Sequence, residues 1–259
     1  MTTGTDRPAG WKNMDDFAPG IATNRLPATY ALAGTELSLT FDDGTKTHLA
    51  FSGRYKVHAD GGTAEPYEAV AMRDDLFFVG RAHLERPREY TVTILHTSTG
   101  RALRVVSTIA AEPTPGRPRV SQEFTPGVIE GQEVTGEAPA PTRELIGRRA
   151  LYRYSPQHLY EHVYLSSERY AWQCLVGAQR GHGDVDLSTA WKIADDVYVF
   201  TFREFRIPVA ATWLYDWAAL RTVGTFFGLS GDGEIHHSPG GAYIEPLGQA
   251  VYPADEEPV

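Results

Sequence analysis

Polar and apolar residues alternate along much of this chain, and this period of two is the feature that most constrains its fold. The clearest case is Glu36–Phe41, which is followed by a turn at residues 42–44 and by a second alternating run over residues 45–51. Alternation places one face of a strand in a core, and two such runs joined by a short Asp-Gly turn predict a β-hairpin. The chain therefore begins with a pattern typical of antiparallel β-structure.

Similar runs continue to the end of the chain, with turn residues between them. They predict further strands over residues 68–72, 76–82, 89–97 and 103–109, and then over 149–154, 158–165, 169–176, 188–193, 197–206, 209–215 and 222–227. Only residues 216–220 favour a single helical turn. Regularly spaced short strands without helices between them indicate an all-β sandwich or barrel.

Proline and glycine accumulate between the two groups of strands. Residues 113–142 hold few large apolar groups, so we interpret them as a linker in which residues 120–129 offer one more strand. The predicted units are an ordered leader (1–30), an N-terminal barrel domain (31–112), the linker (113–142) and a C-terminal barrel domain (143–259). We interpret the region of His236 and His237 as a flexible tail.

An internal repeat relates the two groups of strands. Aligning residues 73–94 with 194–215 without a gap gives four identities, which are Asp74/Asp195, Asp75/Asp196, Pro87/Pro208 and Thr91/Thr212. The hydrophobic alternation matches as well, which favours an internal duplication. Two related halves suit either two small antiparallel barrels or one larger barrel made of both.

Charge and cysteine content limit the partners of the protein. The formal net charge is −9, and without a basic run the chain is not expected to bind nucleic acid. Cys174 is the single cysteine, which excludes an intrachain disulfide and suits a reducing compartment. No segment approaches the ~20 apolar residues of a membrane span, and the first ten residues lack a signal-sequence core. We expect a cytoplasmic protein without a membrane partner; homo-oligomerisation stays open.

Several segments resemble the MoaF family. In the second half they are residues 160–165 (YEHVYL), 170–175 (YAWQCL), 192–200 (KIADDVYVF), 202–204 (FRE) and 241–243 (GAY). In the first half, residues 24–27 (NRLP) and 41–44 (FDDG) fall where the N-terminal domain of that family has similar segments. The resemblance implies two tandem calycin-like, lipocalin-related antiparallel β-barrels.

Two neighbouring strands carry aromatic rings and polar tips on one face each. The residues are Tyr160, His162 and Tyr164 on the first strand, and Tyr170, Trp172 and Cys174 on the second. If the strands pair across the turn at 166–168, these groups would line a barrel interior and hold an aromatic or unsaturated ligand. His162 would then exchange a proton near neutral pH. The alternative is that the rings simply fill a small barrel.

A second group of candidates lies near residue 204. A buried Glu204 would have a raised pKa and act as a base, or would pair with Lys192 or an arginine; the alternative is an ion pair at the rim. The repeat places His83 at the position of Glu204 and Ala82 at that of Arg203, so functional groups are fewer in the first half. We therefore place the site in the C-terminal half. Our candidates are His162, Glu204 and Tyr164 for catalysis, and Tyr160, Tyr170, Trp172, Cys174, Trp191 and Arg203 for substrate binding.

We predict no metal and no organic cofactor. His158 and His162 have a spacing that suits zinc on a helix, but four residues of strand span roughly 13 Å, too far for one ion. His182, Asp184 and Asp186 are interpreted as a polar loop. No phosphate-binding or nucleophile-elbow motif occurs in a suitable context, and we expect Cys174 to be a buried, unreactive thiol.

The leading hypothesis is a cofactor-free acid–base enzyme that acts on a hydrophobic aromatic or unsaturated metabolite. The resemblance implies this by analogy, because other tandem calycin-like proteins act as isomerases, cyclases or lyases. The alternative is a non-catalytic small-molecule carrier of a cofactor- or monoamine-related pathway. A third hypothesis is a structural protein with a filled barrel and no cavity.

Overall fold

The protein folds into two eight-stranded barrels that follow one another along the chain. The computed structural model describes residues 11–253, 255–256 and 258. In that part of the chain every regular element is a β-strand, apart from the helical turn α1 (Met14–Phe17). The all-β prediction is confirmed.

The N-terminal barrel is an antiparallel meander whose first and last strands pair. Its strands are β1 (Glu36–Phe41), β2 (Lys46–Ala50), β3 (Lys56–Ala59), β4 (Ala64–Arg73), β5 (Leu76–Ala82), β6 (Glu89–His96), β7 (Arg101–Ile109) and β8 (Val120–Ile129). Each strand pairs with the next, and Leu39 of β1 lies opposite Ile129 of β8, which closes the barrel.

The C-terminal barrel repeats this arrangement. A two-residue strand, β9 (Ala140–Pro141), precedes this barrel and pairs with Trp191 and Lys192 of β13. Its own strands are β10 (Arg148–Ser155), β11 (His158–Tyr164), β12 (Arg169–Val176), β13 (Gly183–Ala194), β14 (Val197–Arg203), β15 (Val209–Asp216), β16 (Arg221–Leu229) and β17 (Ile235–Gln249). Tyr152 of β10 lies opposite Ile244 of β17 and closes the ring. The two tandem barrels are thus confirmed, and the single larger barrel is excluded.

Some elements differ from the sequence-based expectations. β8 lies inside the segment interpreted as a linker and completes the N-terminal barrel, so the connection between the barrels is shorter than 113–142. The segment around His236 and His237, which we interpreted as a flexible tail, forms strand β17. Its alternation is interrupted because Gly240 packs against an indole: a Cβ at Gly240 would lie 2.8 Å from the ring of Trp213. β3 was not predicted, and β13 begins earlier than expected at Gly183. Of the segment 216–220, Asp216 ends β15 and residues 217–220 form a turn instead of a helix.

The strand register supports the duplication and corrects its alignment. Phe78 of β5 lies between Val70 and Ile94, as Val199 of β14 lies between Trp191 and Leu214. The connection from β14 to β15 is one residue shorter than that from β5 to β6. The matching threonines are therefore not equivalent, because Thr91 lines the cavity of its barrel while Thr212 bonds to Gln122 of the other barrel.

Three apolar clusters hold the molecule together. One fills each barrel, and the third joins β4–β8 of the first barrel to β13–β16 of the second; we call this third cluster the seam. Polar contacts cross between the barrels beside it, including Arg73 to Asp216 at 2.6 Å, and Trp191 stacks on Phe124. The two barrels are thus packed through a continuous buried surface. Among the described residues, no helix is long and apolar enough to cross a membrane.

Candidate functional site

A small cavity lies within the C-terminal barrel, in the region where the sequence places the site. Its volume is about 30 Å³, room for about two water molecules and far below the ~300 Å³ of small ligand pockets. Its walls are formed by Phe17, Ile21, Tyr154, Tyr160, His162, Tyr170, Trp172, Gln179, Phe202, Glu204 and Phe226. The interior is therefore nearly filled by aromatic rings, but the side chains of His162, Gln179 and Glu204 also line it. An aliphatic core would not need these polar groups.

The leader closes the cavity. Met14 and Phe17 of α1 are buried in the core of the barrel, and the ring of Phe17 meets Phe226 edge-on. Trp11 stacks on His182 with ring centroids 4.9 Å apart. The leader is pinned to the barrel by backbone hydrogen bonds, since Asn24 donates to Tyr154 at 2.9 Å and Gly241 donates to Ile21 at 3.1 Å. Of the predicted leader (1–30), residues 11–30 are described and lie beside the barrel, and residues 1–10 lie outside the described residues.

Glu204 is a buried acid without a counter-ion. It follows the last residue of β14, is 5% exposed, and its carboxyl has no hydrogen-bond or ion-pair partner among the described residues. Burial raises the pKa of Glu204 well above its usual range, and the nearby carboxylates of Asp186 and Asp184 raise it further. The raised pKa favours the protonated form of the carboxyl, which lines the cavity.

His162 is enclosed by rings. Its imidazole lies 4.3 Å from the centroid of Tyr152 and 5.1 Å from that of Tyr170, and its Nδ1 is buried without a partner among the described residues. Burial lowers the pKa of His162 to about 3. The expectation that this residue titrates near neutral pH is therefore wrong, because no charge stabilises the imidazolium in this apolar setting. The neutral ring remains able to accept a proton from a bound molecule.

Gln179 is a polar residue of the cavity that the sequence did not reveal. It is 2% exposed; its Oε1 accepts a hydrogen bond from the Tyr160 hydroxyl at 2.9 Å, and its Nε2 has no partner among the described residues. It lies between β12 and β13, in a segment without periodicity, so no pattern singled it out. Tyr154 and Phe226 were missed as well, although both lie on predicted strands whose inward face could have been followed.

Asp186 supports the wall of the cavity from β13. Its Oδ2 accepts a hydrogen bond from Trp172 Nε1 at 2.8 Å, and its Oδ1 accepts one from the backbone N–H of Phe205 at 3.2 Å. Burial raises the pKa of Asp186 to about 6. The residue interpreted as part of a polar loop thus orients an indole of the site and opposes ionisation of Glu204.

The structure brings five of the nine candidate residues to the cavity and leaves four outside it. Those that line it are Tyr160, His162, Tyr170, Trp172 and Glu204. Tyr164 is buried nearby, where its hydroxyl bonds to that of Tyr152. Cys174 is buried, its Sγ lies 3.4 Å from the carbonyl of Val176, and burial raises the pKa of its thiol.

Arg203 and Trp191 face away from the cavity. Alternation along β13 and β14 directs both side chains to the outer wall, where Trp191 stacks on Phe124 and Arg203 donates to Gln122 Oε1 at 3.3 Å. Burial lowers the pKa of Arg203 to about 10. Their placement at the seam argues against contact with a ligand in the barrel. Lys192 lies on the opposite face of β13 from Trp191 and pairs with Glu144 at 2.8 Å.

No group of three or more potential metal ligands occurs among the described residues. His158 donates to or accepts from Ser155 Oγ at 2.9 Å, whereas His162 faces the cavity, so the two histidines of the HxxxH spacing have separate surroundings. His182 stacks on Trp11 and does not join Asp184, which pairs with Arg206.

Comparison with known proteins gives concordant results. The models of the MoaF N-terminal domain and the MoaF C-terminal domain match residues 9–111 and 139–250. Protein MoaF of Klebsiella aerogenes is 32% identical over 253 residues, which cover 90% of this chain and 92% of that protein. A proposed beta-lactamase of known structure from Burkholderia vietnamiensis is 15% identical with a TM-score of 0.33 and covers 40% of this chain and 95% of its own; at that distance it carries no argument. The resemblance seen in the sequence is confirmed by the first two matches: the chain belongs to the MoaF family.

Proposed function

We propose that the C-terminal barrel binds a small, uncharged aromatic or unsaturated metabolite and catalyses proton transfer on it. The observation that carries this proposal is the buried, unpaired carboxyl of Glu204 at the cavity. Burying such a group without a partner costs stability, and proteins retain groups of this kind mainly where chemistry needs them. Proton transfer by positioned side chains drives many isomerisation, cyclisation and elimination reactions, and it can proceed without a metal or an organic cofactor.

The two titratable groups have complementary protonation states. A protonated Glu204 serves as the general acid, and a neutral His162 serves as the general base, since environments that move two pKa values apart assign such roles. The amide of Gln179 and the hydroxyl of Tyr160 supply hydrogen bonds that would orient a carbonyl or hydroxyl group of the substrate. The surrounding rings would hold its planar part by stacking.

Substrate entry requires the leader to move. The cavity of about 30 Å³ is too small for a metabolite, so a substrate must occupy space that Phe17 and Ile21 fill in this structure. Because these two residues belong to a segment that lies over the barrel and not to its strands, they can withdraw without breaking the strand pairing. The leader would then close over the substrate and exclude water, as active-site lids do.

A proton-transfer assay tests this function. The purified protein is incubated in D₂O with a metabolite extract, and compounds that gain deuterium or disappear are identified by mass spectrometry. The wild type should change at least one compound, whereas Glu204→Gln should not, since the amide cannot donate the same proton. Glu245→Gln, which alters an exposed carboxylate paired with Arg153, is the matched control and should retain activity. Equal turnover by the wild type and Glu204→Gln would refute the acid role.

A non-catalytic carrier is the second candidate. It is favoured by the dominance of aromatic rings in the wall and by the uncharged state of both His162 and Glu204, which suits binding of an apolar guest. The two functions predict different behaviour in the same variant. If the protein is a carrier, Glu204→Gln should still bind the compound that co-purifies with the wild type. Neither the variant nor the wild type should then exchange deuterium into that compound.

A further inference from the structure

The N-terminal barrel contains a second and larger cavity. Its volume is about 730 Å³, within the ~300–1,000 Å³ typical of small-molecule sites. It lies on the inward faces of the strands, above the apolar cluster that fills the other end of the barrel. The sequence had placed the site in the other half, because the repeat aligns Ala82 with Arg203 and His83 with Glu204, which leaves fewer functional groups in the first half.

This cavity lies where the duplicated barrel has its candidate site. The pairing of β4 with β5 matches that of β13 with β14, so Glu65 and His83 correspond to Asp186 and Glu204. By the same register Arg81 occupies the position of Phe202. A guanidinium thus replaces a ring, and among the described residues no phenylalanine, tyrosine or tryptophan lines this cavity. The two barrels thus have cavities in equivalent places, but the cavity of the C-terminal barrel is lined mainly by aromatic residues and that of the N-terminal barrel by charged residues.

The polar groups of this cavity are held in place by one another. Arg81 Nη1 donates to Glu65 Oε2 at 2.8 Å, and both side chains are 14% exposed. His83 Nδ1 lies 3.2 Å from Glu65 Oε1, and its Nε2 lies 2.8 Å from Thr91 Oγ1. The His83 side chain is only 2% exposed. Mutual hydrogen bonds of this kind orient the groups before any ligand arrives.

Two inward guanidinium groups have unused donors. Arg81 makes a single hydrogen bond among the described residues, although a guanidinium has five N–H groups. Arg104 stacks over the ring of Phe41 and donates to Asp43 at 2.7 Å, to Thr45 at 2.9 Å and to Thr125 at 3.2 Å; its Nε is buried without a partner in the described part of the chain. Asp43 is half exposed at the β1–β2 turn, whereas the Glu65 side chain is only 14% exposed; Glu89, which also lines the cavity, pairs with Arg86.

We propose that the N-terminal barrel binds a small, non-aromatic organic oxyanion, a carboxylate or a phosphate, on Arg81 and Arg104. The planar fork of a guanidinium matches both kinds of oxyanion. Glu65 and His83 hold Arg81 in position, and Thr91 offers a hydroxyl to the rest of the ligand. The exposed carboxylates of Glu85 and Glu123 stand at the rim, which disfavours extended polyanions and selects a ligand small enough to lie beneath them. This site does not depend on the function proposed for the C-terminal barrel.

Calorimetric titration of the full chain tests the proposal. The probes are succinate and inorganic phosphate, with succinamide as the uncharged match for succinate. The wild type should bind at least one oxyanion saturably below about 10 mM, and Arg81→Gln and Arg104→Gln should each weaken that binding by at least ~10-fold. Arg153→Gln, which alters an exposed arginine of the other barrel, should bind like the wild type.

Each outcome decides the proposal. Binding of succinate alone identifies a carboxylate ligand, and binding of phosphate alone identifies a phosphate ligand. Binding of neither probe, equal binding of succinamide, or unchanged affinity in both cavity variants would overturn it. Because Arg81→Gln leaves Glu65 without its partner, the side-chain Nε–H signals of Arg81 and Arg104 are also followed by NMR in the wild type. Those two signals should shift on adding the bound oxyanion, and a shift confined to other arginines would overturn the proposal.

Discussion

His83 and Glu204 occupy equivalent positions in the two barrels. His83 directly follows β5, and Glu204 directly follows β14. In the first barrel the imidazole contacts Glu65 at 3.2 Å. In the second barrel the carboxyl of Glu204 faces Asp186, and the pKa values of both acids are raised chiefly by burial. One place in a duplicated fold thus holds a hydrogen-bonded imidazole in one copy and, in the other, a buried acid without a hydrogen-bond partner among the described residues.

The raised pKa of Glu204 makes stability depend on pH. The carboxyl binds its proton more tightly in the folded than in the unfolded chain, whose value is 4.5. Its contribution is therefore fully present below pH 4.5 and is lost as the pH rises toward the folded pKa. We expect Glu204→Gln to gain stability relative to the wild type with rising pH, by up to about 1.4 kcal/mol per unit. Urea unfolding at several pH values measures this; a difference that does not vary with pH would contradict it.

The lowered pKa of His162 acts in the opposite direction. The unfolded chain takes up a proton below pH 6.5, whereas the folded imidazole stays neutral to about pH 3. Stability contributed by the neutral ring is therefore present above pH 6.5 and is lost between these two values as the pH falls. We expect His162→Phe to lose less stability on acidification than the wild type, by up to about 1.4 kcal/mol per pH unit. Thermal unfolding above and below pH 6.5 checks this, with His48→Gln at an exposed site as control.

Phe17 should control the opening of the leader. Truncating a buried phenylalanine to alanine removes about 3–5 kcal/mol of packing, and here the loss falls on a segment that can detach while the barrel stays folded. We expect Phe17→Ala to speed hydrogen exchange at the N–H groups of Asn24 and Gly241, which pin the leader. The amides of β14 and β15 should stay protected. The control is Leu84→Ala, at a side chain that is 57% exposed, and it should leave the exchange of both groups of amides unchanged. If Phe17→Ala speeds exchange equally at all of these amides, the substitution has destabilised the whole protein and the leader does not open by itself.

Asp216 should couple the two barrels. Its carboxylate is 1% exposed and accepts a hydrogen bond from Arg73 of the other barrel. Removing one partner of a buried, charge-assisted contact costs about 1–3 kcal/mol, so Asp216→Asn should lower the free energy of unfolding by that amount. The exposed pair of Lys46 and Glu130 offers the control, and Glu130→Gln should leave stability unchanged. Chemical denaturation with a separate probe in each barrel would show whether the two barrels still unfold together. If Asp216→Asn has the same free energy of unfolding as the wild type, the coupling is contradicted.

Local pattern was enough to predict the strands and much of the C-terminal wall. Alternation is a property of neighbouring residues, and it identified Tyr160, His162, Tyr170 and Trp172 as one surface. It did not predict β3, and it failed for β17, where Gly240, which accommodates Trp213, interrupts the period. It also failed for Gln179, which reaches the cavity from a connection with no period at all.

What the sequence by itself determined was the class of fold, its duplication and the strands that carry the aromatic wall, because side-chain alternation and repeats are written in the order of residues. The tertiary structure alone decided which faces became cavities and which became the seam. Trp191 and Arg203 look like binding residues in the sequence but lie between the barrels, and Arg81 becomes a cavity residue only because its barrel closes around it. Burial also shifted the pKa values of His162 and Glu204, since desolvation depends on every neighbour that closes over a group and not on the residues beside it in the chain.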